Sequence, residues 1–352
     1  MTTRPRILFA GVFHWNAGSS HMIAEYARAA SASGCEVGVS SQLSRLDGTV
    51  NGHLPLVDDI AWATHLVLVF EGRQFLSAQQ RELCEAVPRQ RRIIVDPDGH
   101  WGPYVTAGAD DSAGADTVES WHKLYADLSD LVLQPRTSER LPDGAEFFSY
   151  FGMPDIHRLA SDVPHPQALP YELQYVGANW WRWNEMTSLV RAAAAAQPPI
   201  RRIRVCGRWW TGDPHPDHLT ATANVSGWMQ DHRVEVAPSV PFGHVVAAMS
   251  QAAITPVLAR PLLARMELLT PRMFETLASG SIPALWPDLG YLSALYGDDV
   301  ELFLLDDDPA DSLARMVREP VLYRERLAAI QRRVHERFNY RAVLAELIRF
   351  TR

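Results

Sequence analysis

The stretch 267–275, ELLTPRMFE, followed by Ala278-Ser279-Gly280, decides how this chain is read. Thr270 suits an N-cap, Pro271 the first helical position and Gly280 a C-terminal stop, so the spacing predicts a helix over 271–280. The N–H groups and positive dipole end of that helix make an anion site that suits a phosphate. Glu267 then stands on the loop before the anion, and Glu275 lies one turn inside the helix. Carboxylates on both sides of a bound phosphate can accept hydrogen bonds from sugar hydroxyls, on a transferred sugar and on a nucleotide ribose. The competing reading is an ordinary core helix that buries Met273, Phe274 and Leu277 and pairs Glu275 with Arg272.

Outward from this block, strands and helices alternate. Residues 161–170 (SDVPHPQALP) carry three prolines and read as a linker. Beyond it, strands are expected at 172–176, 203–206, 234–236 and 253–258, with helices at 186–196 and 242–250. After the 271–280 helix, residues 282–286 and 301–305 read as strands, and 310–352 as Arg-rich helix. Before the linker, strands are expected at 6–11, 35–40, 65–70, 92–95, 131–133 and 146–150, with helices at 19–33 and 77–87. This order implies parallel sheets joined by right-handed crossovers. The expected architecture is α/β: two Rossmann-like domains, 1–165 and 171–335, facing a cleft, with a C-terminal helix at 336–352. Ligands of such folds bind at the carboxyl ends of the strands.

Composition narrows the function. A length of 352 residues exceeds one comfortable core and fits two. With 47% hydrophobic and 21% charged residues the chain is globular rather than disordered. A net charge of −8 argues against a general polyanion binder. Lys123 is the lone lysine among 33 basic residues; Arg favours bidentate phosphate contacts, although so uniform a preference also fits coding bias. Cys35, Cys84 and Cys206 show no CxxC spacing, which points to a reducing cytoplasm and against a disulfide framework or zinc site. The apolar run ending near Phe13 is too short for a signal peptide, and no stretch approaches the ~20 apolar residues of a membrane span. A cytoplasmic protein is expected.

Two Rossmann-like halves with a Glu-x7-Glu block in the second resemble the GT-B glycosyltransferases, group 1 or family 4, and their spore-coat-maturation relatives. The likeness covers nearly the whole length. Residues 11–21 are similar to the family's opening glycine loop, and Gly34-Cys35-Glu36-Val37 to its second strand. Tyr175-Val176-Gly177 resembles the strand that opens the nucleotide-binding domain, Cys206-Gly207-Arg208 the next strand end, and Phe338-Asn339-Tyr340-Arg341 the helix that crosses back onto the first domain. The resemblance implies transfer of a sugar from a nucleoside diphosphate with retention of configuration and no bound metal or other cofactor. By position, Glu275 would bind the donor ribose, Glu267 the donor sugar, and backbone N–H groups around Leu269 and Thr270 the distal phosphate. The family usually has an Arg just after the glycine of the opening strand and a Lys further on. Here Ala178 replaces the first and Arg182 stands at the second, so Arg182, Arg208 and Arg272 are the candidate phosphate ligands.

Breaking a sugar–phosphate bond needs positive groups on the departing diphosphate and oxygens on the oxocarbenium-like carbon. In a retaining enzyme of this kind the leaving phosphate oxygen can take the acceptor proton, so a strong protein base is not obligatory. Asp98 and His100 follow a first-domain strand and are candidates to meet the donor sugar; Asp96-Pro97-Asp98 imitates a metal-binding DxD but belongs to a different fold. His14 or His21 would suit an inverting base, and Gly18 would let backbone approach the phosphates. Trp180-Trp181-Arg182-Trp183 and Arg208-Trp209-Trp210 could stack a base or acceptor ring, or form a homodimer contact. The leading expectation is a glycosyltransferase with a small or medium acceptor, a specialised metabolite or envelope precursor. Alternatives are transfer to modified bases in DNA, coupling of a nucleotide-activated cyclitol, and a binding or scaffold protein with a decayed site, which Ala178 makes conceivable.

Overall fold

The computed structural model describes residues 4–15, 18–102, 117–137 and 140–351. They divide into two units: Met1–Gly152 with Met266–Leu269 and Arg337–Arg352, and Met153–Arg265 with Thr270–Glu336.

The first unit is built on β1 (Arg6–Ala10), whose Ile7, Leu8, Phe9 and Ala10 are fully buried. Strands covered on both faces lose the alternation of polar and apolar residues, and this is why RILFA and HLVLV read as unbroken apolar runs. With β2 (Glu36–Ser40), β3 (Leu56–Val57), β4 (His65–Val69), β5 (Arg92–Val95), β6 (Leu131–Gln134) and β7 (Ala145–Phe147) it forms a parallel sheet in the order β3-β2-β1-β4-β5-β6-β7. Leu8 lies opposite Gly38 on one side and Leu66 on the other. Leu66, Leu68, Phe70 and Ile94 pack against Trp121, Leu124, Tyr125 and Leu128 of the helix Val118–Leu128, which the sequence reading did not foresee. Helix Gly18–Ala30 follows β1, and the C-terminal helix Tyr340–Arg349 packs upon it. Asn339 caps that last helix by accepting from the Ala342 N–H at 3.0 Å, and Phe350 meets Phe148 edge-on at 6.2 Å.

The second unit repeats the plan. β8 (Tyr171–Val176), β9 (Ile203–Cys206), β10 (Glu235–Ala237), β11 (Ala252–Val257) and β12 (Ile282–Leu285) form a parallel sheet in the order β10-β9-β8-β11-β12. The expected linker at 161–170 is part of this unit. Arg324 donates to Val163 O within it at 2.9 Å, and just before it Gln331 donates to Arg158 O and accepts from Ala160 N–H. The division between units therefore falls at Gly152 and Met153. The strand expected over 301–305 is instead a helical turn, Val300–Phe303, with one strand-like bond from Leu305 N–H to Leu285 O. A short apolar run does not tell strand from buried helix by its pattern. The helix expected over 242–250 is a 3-10 turn, Phe242–His244, continuing as Val245–Met249.

Helix Pro271–Ser279 starts after Thr270 in extended conformation and stops at Gly280, which is left-handed at φ 78°. A Cβ there would meet Arg158 O at 2.7 Å, so glycine is required on both counts. Met273, Phe274 and Leu277 are fully buried, contributing about 1.5–3 kcal/mol each. The three cysteines are buried and free, and burial pushes the thiols of Cys35 and Cys84 up to about 11. Among the described residues no helix is long and apolar enough to cross a membrane.

Candidate functional site

In the second unit the polar groups gather where β8, β9 and β11 end. The loop after β8 is pinned by Asn179, fully buried, whose side chain donates to Trp209 O at 3.0 Å and Ala223 O at 2.8 Å. Its N–H donates to Arg208 O at 3.0 Å, so the loops after β8 and β9 are laced together. Trp210 Nε1 donates to Gly177 O at 2.8 Å in the same seam. Trp181 and Trp209 hold φ of 63° and 65°, a conformation that bulky residues adopt only when surrounding contacts enforce it.

Arg182 sits inside this seam. Its Nε donates to Leu258 O at 2.8 Å, and Nη1 to Trp180 O at 3.1 Å and Ala178 O at 3.5 Å. Burial lowers its guanidinium pKa from the ordinary Arg value, Tyr175 works against that, and the charges of Arg260 and Arg272 lower it further. Arg272 Nη1 lies 3.0 Å from Glu275 Oε2, an i,i+3 pair in which Glu275 is buried, and its guanidinium stands 6.0 Å from the Tyr175 ring centre. Arg260 stands 5.8 Å from the Trp180 ring centre, just after β11. Arg208 is exposed and lies 4.7 Å over Trp209. Arg182, Arg260 and Arg272 are thus brought into one electrostatic neighbourhood with Glu275.

The expected backbone anion site is arranged differently. Leu269 N–H donates to Pro135 O at 2.8 Å, and Thr270 N–H to Met273 Sδ at 3.3 Å. Positive charge at this helix start therefore comes from guanidinium groups rather than from those two N–H groups.

Glu267 belongs to the first unit, with Met266 to Leu269. Leu268 makes an antiparallel bridge to Arg136, and Glu267, at φ 57°, places Oε1 3.2 Å from Arg140 Nε. The segment lies against the loop after β5: a Cβ at Gly99 would meet Met266 Sδ at 3.0 Å. Asp98 and His100 flank that glycine, and Glu267 stands between Met266 and Leu268, the two residues of its segment nearest to it. Asp98 Oδ2 accepts from Gly72 N–H at 2.8 Å. The His100 ring stacks on Trp121 at 4.0 Å, and among the described residues neither of its nitrogens has a hydrogen-bond partner. Asp96, fully buried, accepts from the N–H groups of His100 and Trp101 and from Gln134, which makes it the organiser of the loop.

Gly18 is the first residue of its helix; next to it Ser19 Oγ donates to Glu71 Oε2 at 2.6 Å. Glu71 follows β4 as Asp98 follows β5, and the sequence reading missed it although a carboxylate directly after HLVLVF carries the same signal. His21 Nε2 contacts Trp15 O at 2.6 Å and its ring packs on Trp15 at 3.8 Å. Burial, against the pull of that carbonyl, pushes His21 down to about 4. His14 is exposed, its carbonyl accepting from Ser20 Oγ. Among the described residues no group of three or more His, Cys, Asp or Glu is placed to hold a metal ion.

A family model described as glycosyl transferase-like matches residues 186–349. No curated protein sequence matches the chain. Among solved structures, T4 phage BGT in complex with its UDP-glucose substrate is 13% identical, with a TM-score of 0.56 over 98% of this chain and 99% of that one. An alpha-glucosyltransferase in complex with UDP and a 13-mer DNA containing a HMU base is 11% identical, with a TM-score of 0.63 over 99% of each chain. A point mutant of S. aureus TarM in complex with Fondaparinux, alpha-GlcNAc-glycerol and UDP is 11% identical, with a TM-score of 0.51 over 81% of this chain and 55% of that one. The fold is that of the GT-B glycosyltransferases.

Proposed function

We propose that this chain, a glycosyltransferase by its GT-B fold and by the glycosyl transferase-like model that matches residues 186–349, moves a sugar from a UDP-sugar to a small or medium-sized acceptor, with retention of configuration and without a metal. The Arg272–Glu275 pair by itself also fits an ordinary core helix; what carries this reading is that Arg182 lies in the same electrostatic neighbourhood, in a fold shared with UDP-bound glycosyltransferases. A departing diphosphate gathers negative charge, and fixed guanidinium groups in a partly dry site stabilise it without reorganising. They supply there the charge a divalent cation would otherwise bring. Glu275 accepts hydrogen bonds from the ribose diol, and UDP is the nucleotide in the solved structures of similar fold. In the first unit Glu267 and Asp98 offer oxygens to the sugar, while the His100 ring is stacked on Trp121 with its nitrogens buried. Burial pushes His21 down to about 4, so the His21 imidazole is a poor base near neutral pH, which favours proton uptake by the leaving phosphate.

The test is titration of the full chain with UDP, followed by incubation with UDP-sugars, with and without EDTA, and an NMR reading of the anomeric configuration of product or hydrolysed sugar. UDP binding with EDTA-insensitive turnover and a retained anomer is expected. Inversion refutes the stereochemical part, EDTA-sensitive turnover the metal part, and binding without turnover across donors and acceptors points to a scaffold. Transfer to a modified base in DNA is the second reading, raised by the likeness in fold to a DNA-bound alpha-glucosyltransferase and not preferred by it, since TarM is also similar. Filter binding to duplex DNA decides it, because phosphate contacts lose about 10³–10⁵ in affinity between 50 and 200 mM salt.

A further inference from the structure

We propose that the first unit carries a second ligand site, for a small phosphate-bearing molecule, in a cavity where β1, β4 and β5 begin. The proposal does not rest on the donor reading above. The cavity measures about 1080 Å³ and is lined by Arg4, His65, Gln90 and Arg91, with Thr351 at the end of the last helix. A volume of this size suits a small molecule rather than an isolated water. All of these residues belong to one unit. Arg4 precedes β1, His65 opens β4 and Arg91 precedes β5, and the three strands are neighbours in the sheet. Glu71 and Asp98 follow the far ends of β4 and β5. The five residues of β4 separate the two ends by about 16 Å at about 3.3 Å per residue. A molecule held at the near end therefore does not touch the groups assigned to the sugar, and the site is one for an effector.

His65 is buried while Arg4 and Arg91 are exposed, so the imidazole forms the floor and the guanidinium groups the rim. Among the described residues no carboxylate lines the cavity. Arg4 donates through Nη2 to Cys35 O at 2.7 Å, which leaves Nε and Nη1 for a ligand. Among the described residues the Arg91 side chain has neither an ion pair nor a hydrogen bond. Burial and then the charge of Arg91 lower the His65 pKa, against the pull of the Thr351 backbone. Opposing charge is present but local. Glu36 acts against Arg4 at the Cys35 thiol, and Glu346 is paired with Arg349 at 3.2 Å. Two helices end beside the cavity, but Ala30 O accepts from Cys35 N–H and Ile348 O from Thr351 N–H, which blunts their negative ends. Arg91 is thus the cation without a counter-charge. A phosphate supplies one and takes two parallel bonds from its planar fork.

The experiment follows the His65 imidazole by NMR in the histidine-labelled full chain, titrated with glucose 6-phosphate, inorganic phosphate and glucose. Loss of the signal in His65→Asn identifies it, or in His65→Gln if the first variant does not fold. The signal is expected to move with both phosphates, to saturate below about 1 mM in the better one, and to ignore glucose. A tighter ester marks a phosphorylated metabolite and a tighter free ion marks phosphate itself; either supports the site. Arg91→Ala, at an exposed position, is expected to weaken the better phosphate about 10–100-fold, the loss of hydrogen bonds to a charged group, and to leave UDP affinity within about twofold by calorimetry. No movement by about 10 mM of either phosphate, or equal midpoints in wild type and Arg91→Ala, overturns the site and leaves the donor reading untouched. Duplex DNA that moves the signal where both small phosphates do not also overturns it, because that marks a surface for a polyanion.

Discussion

Replacing Glu185 with glutamine should stabilise the second unit at alkaline pH and leave it unchanged in acid. Glu185 lies in the first turn of helix Trp183–Ala195 and lines, with Trp286 and Asp288 among others, a cavity of about 440 Å³. Among the described residues its Oε2 is buried without a hydrogen-bond partner. Burial pushes its carboxyl from 4.5 up to about 7; Arg182 opposes the rise and Asp288 adds to it. At 1.36 kcal/mol per tenfold change in proton affinity, the ionised form costs the native state about 3 kcal/mol. The sign follows from proton counts. Between pH 4.5 and 7 the native chain keeps a proton that the unfolded chain has released, so stability falls as pH rises through that window. The cost is absent below it and complete above it. Glu185→Gln removes the ionisation, so wild type and variant should melt together at pH 4 and differ by about 3 kcal/mol at pH 8. For a unit of this size that is about 6–12 °C in Tm. Scanning calorimetry at the two pH values reads it, and comparison at fixed pH cancels other titrating groups. An equal Tm difference at both pH values would refute the reasoning.

Glu275→Ala should weaken UDP binding about 10–100-fold by calorimetry, the loss of hydrogen bonds to a charged group, and destabilise the fold by about 3 kcal/mol because Arg272 loses its buried partner. Unchanged UDP affinity in the folded variant counts against the ribose role. Glu267→Gln should lower turnover at least about tenfold while UDP affinity stays within about twofold, since Glu267 is carried by the first unit; steady-state kinetics and calorimetry together check this. Gly207→Ala should cost about 3 kcal/mol or more in urea unfolding, because φ is 154° and the new Cβ would lie 2.1 Å from Gly177 O.

Most of the fold was legible because its strands are buried on both faces. HLVLVF, RILFA and AAITPV announce themselves, and TPRMFETLASG carries its own start and stop. Helix Val118–Leu128 was not, because Trp, His, Tyr and Asp dilute its apolar stripe, and its burial comes from the sheet beneath it. The linker reading of 161–170 rested on proline content, which marks turns, not freedom; Arg324, far along the chain, donates to Val163 O within that stretch. In the candidate site, Glu275 and Arg272 were readable from i,i+3 spacing alone. Arg260 was not, since its link to Trp180 joins residues from two different strand ends, a distance no local pattern encodes. Local spacing also placed Leu269 and Thr270 as phosphate donors, and only the folded chain reveals Pro135 O and Met273 Sδ as the atoms those N–H groups meet.

Backbone strain adds an independent argument about where function resides. Among the described residues, three of the five non-glycine positions at positive φ are Trp181, Trp209 and Glu267. Each such residue costs on the order of 1–3 kcal/mol, and chains tolerate it only where neighbours over-determine the conformation. The neighbours are identifiable. Trp181 N–H reaches Ala221 O, Trp209 O takes the Asn179 amide, and Glu267 lies between Met266 and Leu268, both buried, with Leu268 bridged to Arg136. A purely architectural loop has glycine or asparagine available at such positions without this cost. Side chains that a small residue cannot replace are kept here instead: two indoles in the loops after β8 and β9 of the second unit, and one carboxylate, paired with Arg140, in the first. Three of these five strained positions thus fall on segments that carry proposed site residues, each within its own unit. That coincidence is what a catalyst with preorganised charge requires and what a scaffold protein has no reason to maintain.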